Sequence, residues 1–172
     1  DLDIMYDKKE RKVMFSIGDK IVYPMHGAGV IESIEEKEIL GEKKSYYVMK
    51  MPVGDMKVMI PINNVDCIGI RDIINRNDAD KVFKALEVSC DEQTANWNKR
   101  YRENMIKIKS GDVFEVAEVV KSLVSRERHK GLSTGERKML NSAKQILISE
   151  LVLAKNMNPM DVEDIINNRI TT

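Results

Sequence analysis

Asn96-Trp97-Asn98-Lys99-Arg100-Tyr101-Arg102 gathers the side chains of this chain best suited to acting on another molecule. It holds the only tryptophan, set among amides and cations rather than aliphatics. At helical spacing from that tryptophan stand Gln93 and Thr94 on one side and Arg100 and Tyr101 on the other, where a core tryptophan has apolar neighbours. A flat apolar ring beside guanidinium and ammonium groups suits a duplex edge. The cations neutralise phosphates, and the ring wedges against or stacks on a base. The same residues also fit a half-buried tryptophan pinning two helices together, with the cations as a solvated face.

Other chemistry finds no constellation. His26 and His129 are the only histidines and fall in different expected domains; no HExxH or CxxC spacing exists, so no metal site is expected. His26-Gly27-Ala28-Gly29 contains a GxG, but a strand-like run follows it where a phosphate cradle needs a helix N-terminus, so it reads as a turn. Gly131-Leu132-Ser133-Thr134-Gly135-Glu136-Arg137-Lys138 is an imperfect likeness of a P-loop, with Glu136 standing where the lysine belongs. A helix stop followed by a capping box explains it. Ser133 and Thr134 lack a histidine neighbour to activate them. No catalytic residue, cofactor or enzymatic activity is expected.

Two kinds of element must position the tryptophan segment. Residues 1–13 are mostly charged and unpatterned, and read as an N-terminal extension or tag. Residues 14–72 read as strands: Lys20–Tyr23 closed by Pro24, a turn at His26–Gly29, Val30–Ile34, a hairpin turn through Ile39–Lys44 into Tyr46–Met49, and a turn at Val53–Asp55 into Met56–Ile60, ended by Pro61. Short strands between Gly, Pro and Asp turns suggest a small antiparallel barrel or strongly bent sheet. Residues 73–172 read as helices. Asn77 is a candidate cap for a helix through Leu86, and Thr94 for the helix carrying Trp97. Asp112 opens a helix with the stripe Val113, Val116, Ala117, Val120, Leu123 and Val124. Ser133 and Glu136 form a capping box for a helix apolar on more than one side, hence central to a bundle. Asn158-Pro159 starts the last helix. The expected fold is α+β, a β-barrel-like N-terminal domain followed by an all-helical bundle.

The chain has 172 residues, enough for one medium or two small domains, and 42% hydrophobic content suffices for a core. Its net charge is zero, so attraction to nucleic acid must come from a local patch or be handed over by a partner. Residues 14–72 carry a net −2 and residues 73–172 a net +2. Within the second half, Lys99, Arg100, Arg102, Lys107 and Lys109 stand against Glu103 alone, which supplies that patch. No apolar run reaches the roughly 18 residues of a membrane helix, and no signal peptide is visible at the first residues. Cys67 and Cys90, isolated from each other, read as reduced thiols of a cytoplasmic protein.

With this order in place, the sequence resembles the CarD family of bacterial transcription regulators over about residues 14–157. The N-terminal resemblance rests on Ile17-Gly18-Asp19-Lys20-Ile21-Val22-Tyr23-Pro24-Met25-His26-Gly27-Ala28-Gly29, Lys43-Lys44-Ser45-Tyr46-Tyr47-Val48-Met49 and Ile60-Pro61. The C-terminal one rests on Asn96–Arg102, Ser110-Gly111-Asp112, Ala117-Glu118-Val119-Val120, Leu132-Ser133-Thr134-Gly135-Glu136 and Ala143-Lys144-Gln145-Ile146-Leu147. The resemblance implies a non-enzymatic regulator whose Tudor-like N-terminal domain binds the RNA polymerase β subunit. Its helical domain then meets promoter DNA at the upstream edge of the melted region. Trp97 matches the family's minor-groove wedge, and Lys99, Arg100 and Arg102 its phosphate-contacting cations. Lys37 falls where relatives carry a basic contact to polymerase, and Met59 where some carry a second, usually arginine. The expected docking edge runs through Met56, Lys57 and Met59, with Lys37 nearby. A main-chain strand-to-strand contact would tolerate the change at Met59. The competing reading is a polymerase-bound protein–protein adaptor that never touches DNA.

Overall fold

The computed structural model describes residues 14–89 and 96–171. Five strands come first: β1 (Lys20–Tyr23), β2 (Gly27–Ile39), β3 (Glu42–Lys50), β4 (Lys57–Pro61) and β5 (Arg71–Asp72). A one-turn helix, α1 (Val65–Ile68), lies between the last two. All pairings are antiparallel, in the order β4-β3-β2-β1-β5. The order is linear, so the sheet is open and the expected barrel-like closure does not occur. β5 is two residues long and pairs only with Ile21 and Val22, too short to bridge round to β4.

The sheet has two buried faces. Ile21, Ile31, Tyr47, Met49 and Ile60 share a core with Phe15, Met51 and Val65. Val22 and its register partner Ala28 point the other way by the period-two rule and are buried against the helices. The segment expected as a turn, His26–Gly29, is mostly strand: the chain reverses at Pro24–His26 and β2 begins at Gly27. Its glycines serve close approach. A Cβ on Gly27, whose φ is +106°, would lie 2.6 Å from Ser149 Oγ. The next reversal is also tighter than the Ile39–Lys44 turn expected. Leu40 and Gly41, with φ of 54° and 80°, make a two-residue hairpin loop of the primed kind, so β2 runs unbroken to Ile39 and β3 starts at Glu42.

Five longer helices follow: α2 (Arg76–Glu87), α3 (Trp97–Lys109), α4 (Val113–His129), α5 (Thr134–Lys155) and α6 (Pro159–Arg169). Each starts on a side chain that accepts a backbone N–H left over in the first turn. Asp112 accepts from Phe114, Ser133 from Glu136 and Asn158 from Met160. The first helix is capped by Asn75, which accepts from Asp78, and the expected cap Asn77 lies inside it. The tryptophan helix is capped by Asn96, accepting from Lys99 N–H; Thr94 lies outside the described residues. The expected α4 stripe is buried throughout. α5 buries Met139, Leu140, Ala143, Leu147 and Leu151 and packs against α2, α4, α6 and β2, the central position its pattern implied.

The two halves are clasped through the C-terminal part of α5. Ala28 N–H donates to Ser149 Oγ at 2.8 Å, and that hydroxyl donates to Ile146 O. One residue on, the Glu150 carboxylate takes both Arg71 terminal nitrogens at 2.7 Å each and the Ile74 N–H at 2.9 Å. Arg71 also donates to Gly111 O at the α3–α4 junction. Glu150 is buried and Arg71 partly so. A buried carboxylate is tolerated only when paired and hydrogen-bonded, and this one takes three hydrogen bonds from Arg71 and Ile74. Replacing Arg71 with alanine strands the carboxylate. The expected loss is about 3–5 kcal/mol of unfolding free energy, read as a lower urea midpoint.

Candidate nucleic-acid interface

The Trp97 indole is the first side chain of α3 and is 41% exposed. Three contacts hold it. Its Nε1–H donates to Ser133 Oγ at 2.9 Å. Tyr101, one turn on, stacks against one face with ring centroids 5.0 Å apart and 21° between planes. The indole's Cζ2 side lies over Gly135, where a Cβ would stand 3.3 Å from it. The ring therefore overhangs the start of α5, 36 residues away in sequence. The packing reading of Trp97 is thus correct for one edge and one face of the ring, and the rest is open.

The cations flanking Trp97 in sequence do not share its surface. At about 100° per residue, positions 97, 101, 104 and 108 fall on one side of α3, the side where Asn104 and Ile108 are buried. Lys99, Arg102 and Ile106 fall on the far side and are exposed. Lys99 reaches Glu103 at 3.9 Å, and Arg102 makes no ion pair among the described residues. Arg100 departs from its expected role as a surface phosphate contact. It is buried, with Nη2 3.6 Å from Glu136 Oε1. Arg126 Nε approaches the other oxygen of Glu136 at 3.8 Å, so two guanidinium groups share one buried carboxylate beneath the indole. The reason is positional: residue 100 lies on the packed side, and Glu136 at the start of α5 is the anion that side meets.

Ser133 joins these parts. Its hydroxyl accepts from Glu136 N–H and from the indole, and donates to Glu136 Oε1 at 3.2 Å. The capping box thus caps α5 and holds Trp97 together. Exposed cations near this seat along α5 are Arg137, paired to Glu127 at 3.3 Å, and Lys138, one turn on from Gly135. Sequence reading missed both, taking the motif only as a helix start. One signal was present: glycine in a first helical turn costs up to about 1 kcal/mol against alanine, which points to something packed on that spot.

The residues expected to bind polymerase divide into two places. Among the described residues β4 pairs only with β3, so its outer edge is unpaired there. Met56 is exposed in the turn before it, Lys57 opens it and reaches Glu32 at 2.9 Å, and Met59 is partly buried opposite Val48. Lys37 is not near them. It pairs with Lys44 in the outer half of the β2–β3 hairpin, beyond the Tyr46–Pro61 end of the β3–β4 pairing, whereas Met56 adjoins the Lys50–Lys57 end. The six β3 steps from Lys44 to Lys50 span roughly 20 Å.

The described residues hold no group of three or more His, Cys, Asp or Glu placed to bind a metal, and no helix among them is long and apolar enough to cross a membrane. The sheet, with one outer edge unpaired among the described residues, is clasped to a helical bundle that carries a half-exposed indole. Family models agree on both halves: residues 15–74 match the CarD-like/TRCF RID domain and residues 81–167 the CarD C-terminal domain. The chain belongs to the CarD family of transcription regulators. It is 41% identical over 150 residues to YdeB of Bacillus subtilis (strain 168), whose name gives it a presumed transcription-factor role; the match covers 87% of this chain and 98% of YdeB. The solution NMR structure of the 72-residue N-terminal domain of Myxococcus xanthus CarD is 32% identical, covering 34% of this chain and 79% of that one, with a TM-score of 0.30.

The two arginines of the segment should behave oppositely. Arg100→Ala leaves Glu136 with Arg126 as its one nearby cation among the described residues and the Ser133 hydroxyl as donor. It should cost about 2–3 kcal/mol, short of the ~3–5 kcal/mol of a buried pair losing its only partner. Arg102→Ala should stay within about 0.5 kcal/mol of the parent. Chemical denaturation followed by circular dichroism separates them.

Proposed function

We propose that this protein binds the RNA polymerase β subunit through the free edge of its sheet and stabilises the open promoter complex. In this reading Trp97 sits in the minor groove at the upstream edge of the transcription bubble. The observation that carries it is the indole: a half-exposed ring on a helix end, clamped on one edge and open on the other, is the shape of a wedge rather than of a core anchor. Lys99 and Arg102, on the far side of α3, and Arg137 and Lys138, on α5, are exposed cations available to phosphates, with Arg100 acting from below through Glu136. Polymerase docking is a strand addition to β4, with Met56, Lys57 and Met59 along the edge. The match of residues 15–74 to the CarD-like/TRCF RID domain supports a polymerase partner, and Lys37 makes a separate contact from the hairpin.

Tethering accounts for the zero net charge. Once the sheet is docked, DNA meets the helical half at high effective concentration, so a small patch suffices. Free duplex should therefore bind weakly. With two to four phosphates engaged, log K should fall against log salt with a slope of roughly −2 to −4, checked by fluorescence titration at several ionic strengths. Tight, sequence-selective binding by the isolated chain would contradict this reading.

The adaptor reading draws on one observation, the burial of Arg100, which leaves fewer cations than the segment promised. The deciding measurement is open-complex lifetime with the cognate polymerase. Trp97→Ala should shorten it five- to thirty-fold, roughly 1–2 kcal/mol, with polymerase pull-down unchanged. Trp97→Phe should retain part of the effect. Met59→Glu should weaken the pull-down and leave Trp97 fluorescence as it was. An adaptor keeps its full effect on lifetime in Trp97→Ala.

A further inference from the structure

We infer that Ser133 and Gly135 are positioning residues: together they fix the angle at which the indole leaves the protein and remove its power to read bases. The inference rests on the reading of Trp97 as a DNA wedge and adds how that wedge is set. An indole on a helix end has two free torsions, and ordering them on binding costs affinity. Here the ordering is done beforehand. Ser133 Oγ takes the Nε1–H, Gly135 gives the Cζ2 edge a flat place to lie, and Tyr101 backs one face. Ser133 is itself fixed, because its single proton goes to buried Glu136 and its lone pairs accept from Glu136 N–H and the indole.

The occupied Nε1–H has a chemical consequence. The minor groove displays acceptors on every base pair, the adenine N3 and thymine O2 among them, and an indole N–H is a donor suited to them. With that donor turned inward, the exposed ring offers only apolar surface. A wedge of this kind acts on the stack and is indifferent to which bases flank it.

Glycine at 135 makes the role testable apart from stability. Alanine is the better helix former, yet its Cβ would press on the indole at 3.3 Å and tilt it. Ser133→Gly keeps a serviceable helix cap while removing the hydroxyl, and Ser133→Thr restores it. Trp97 is the only tryptophan, so its emission reports the seat alone. In the full-length protein, Gly135→Ala and Ser133→Gly should melt within a few degrees of the parent. Ser133→Gly should roughly double acrylamide quenching of Trp97, and Ser133→Thr should reverse that. With cognate polymerase on a promoter, both seat variants should cut open-complex lifetime about three- to ten-fold. Ser133→Gly should also begin to distinguish promoters that differ only in the base pairs at the upstream bubble edge. Lifetimes equal to the parent in both seat variants, alongside a large loss in Trp97→Ala, would overturn the positioning role. No loss in Trp97→Ala itself would overturn the wedge reading on which it rests.

Discussion

The Glu150 carboxylate is the constraint on which the arrangement of this molecule depends. It is buried on a helix of the bundle, yet its partners, the Arg71 guanidinium and the Ile74 N–H, come from the end of the sheet and the segment that follows it. A desolvated charge cannot be left half-satisfied, so the two halves hold each other's geometry rather than merely touching. α5 extends the constraint across the molecule. Its 22 residues form a rod of about 33 Å. Ser149 and Glu150 grip the sheet near one end, and Ser133 and Gly135 seat Trp97 at the other. The sheet, through β2, and the indole are thus both held by one helix, although in sequence Trp97 belongs to a different one.

What the chain reveals in its sequence follows the range of the forces involved. Helix starts are local: a Ser, Asp or Asn side chain meets an N–H two or three residues away, so Asp112, Ser133 and Asn158 were legible as caps. The stripes of α4 and α5 were legible because one helix face must be apolar whatever covers it. Gly27–Gly29 was not. Glycine normally marks a reversal, and only the approach of Ser149, more than 120 residues later, makes it a strand residue instead. Closure into a barrel was not legible either, because it turns on β5 being only two residues long and pairing with Ile21 and Val22 alone.

The site divides in the same way. That Trp97 was no ordinary core residue was legible from its neighbours. The fate of Arg100 was not, because its partner Glu136 stands 36 residues away and had been fully explained as a helix cap. Helical angles alone separate Lys99 and Arg102 from the indole, a geometric fact that a linear run of cations conceals. The docking residues were scattered for a topological reason: Lys37 and Met56 are neighbours only on the assumption of a short hairpin, and β2 and β3 are long.

The missing Cβ of Gly27 reaches beyond local packing. Each half has its own apolar cluster, and two such clusters joined by a pliant hinge would melt one after the other. Because β2 lies directly against α5 at that glycine, opening either half exposes Val22 and Ala28 of the sheet together with Ile146 and Leu147 of the helix. The free energies of the two clusters are thereby coupled, which favours unfolding as a single cooperative unit. Heat or denaturant should then remove both surfaces at once, so a population that has lost its grip on one partner while retaining the other should not accumulate.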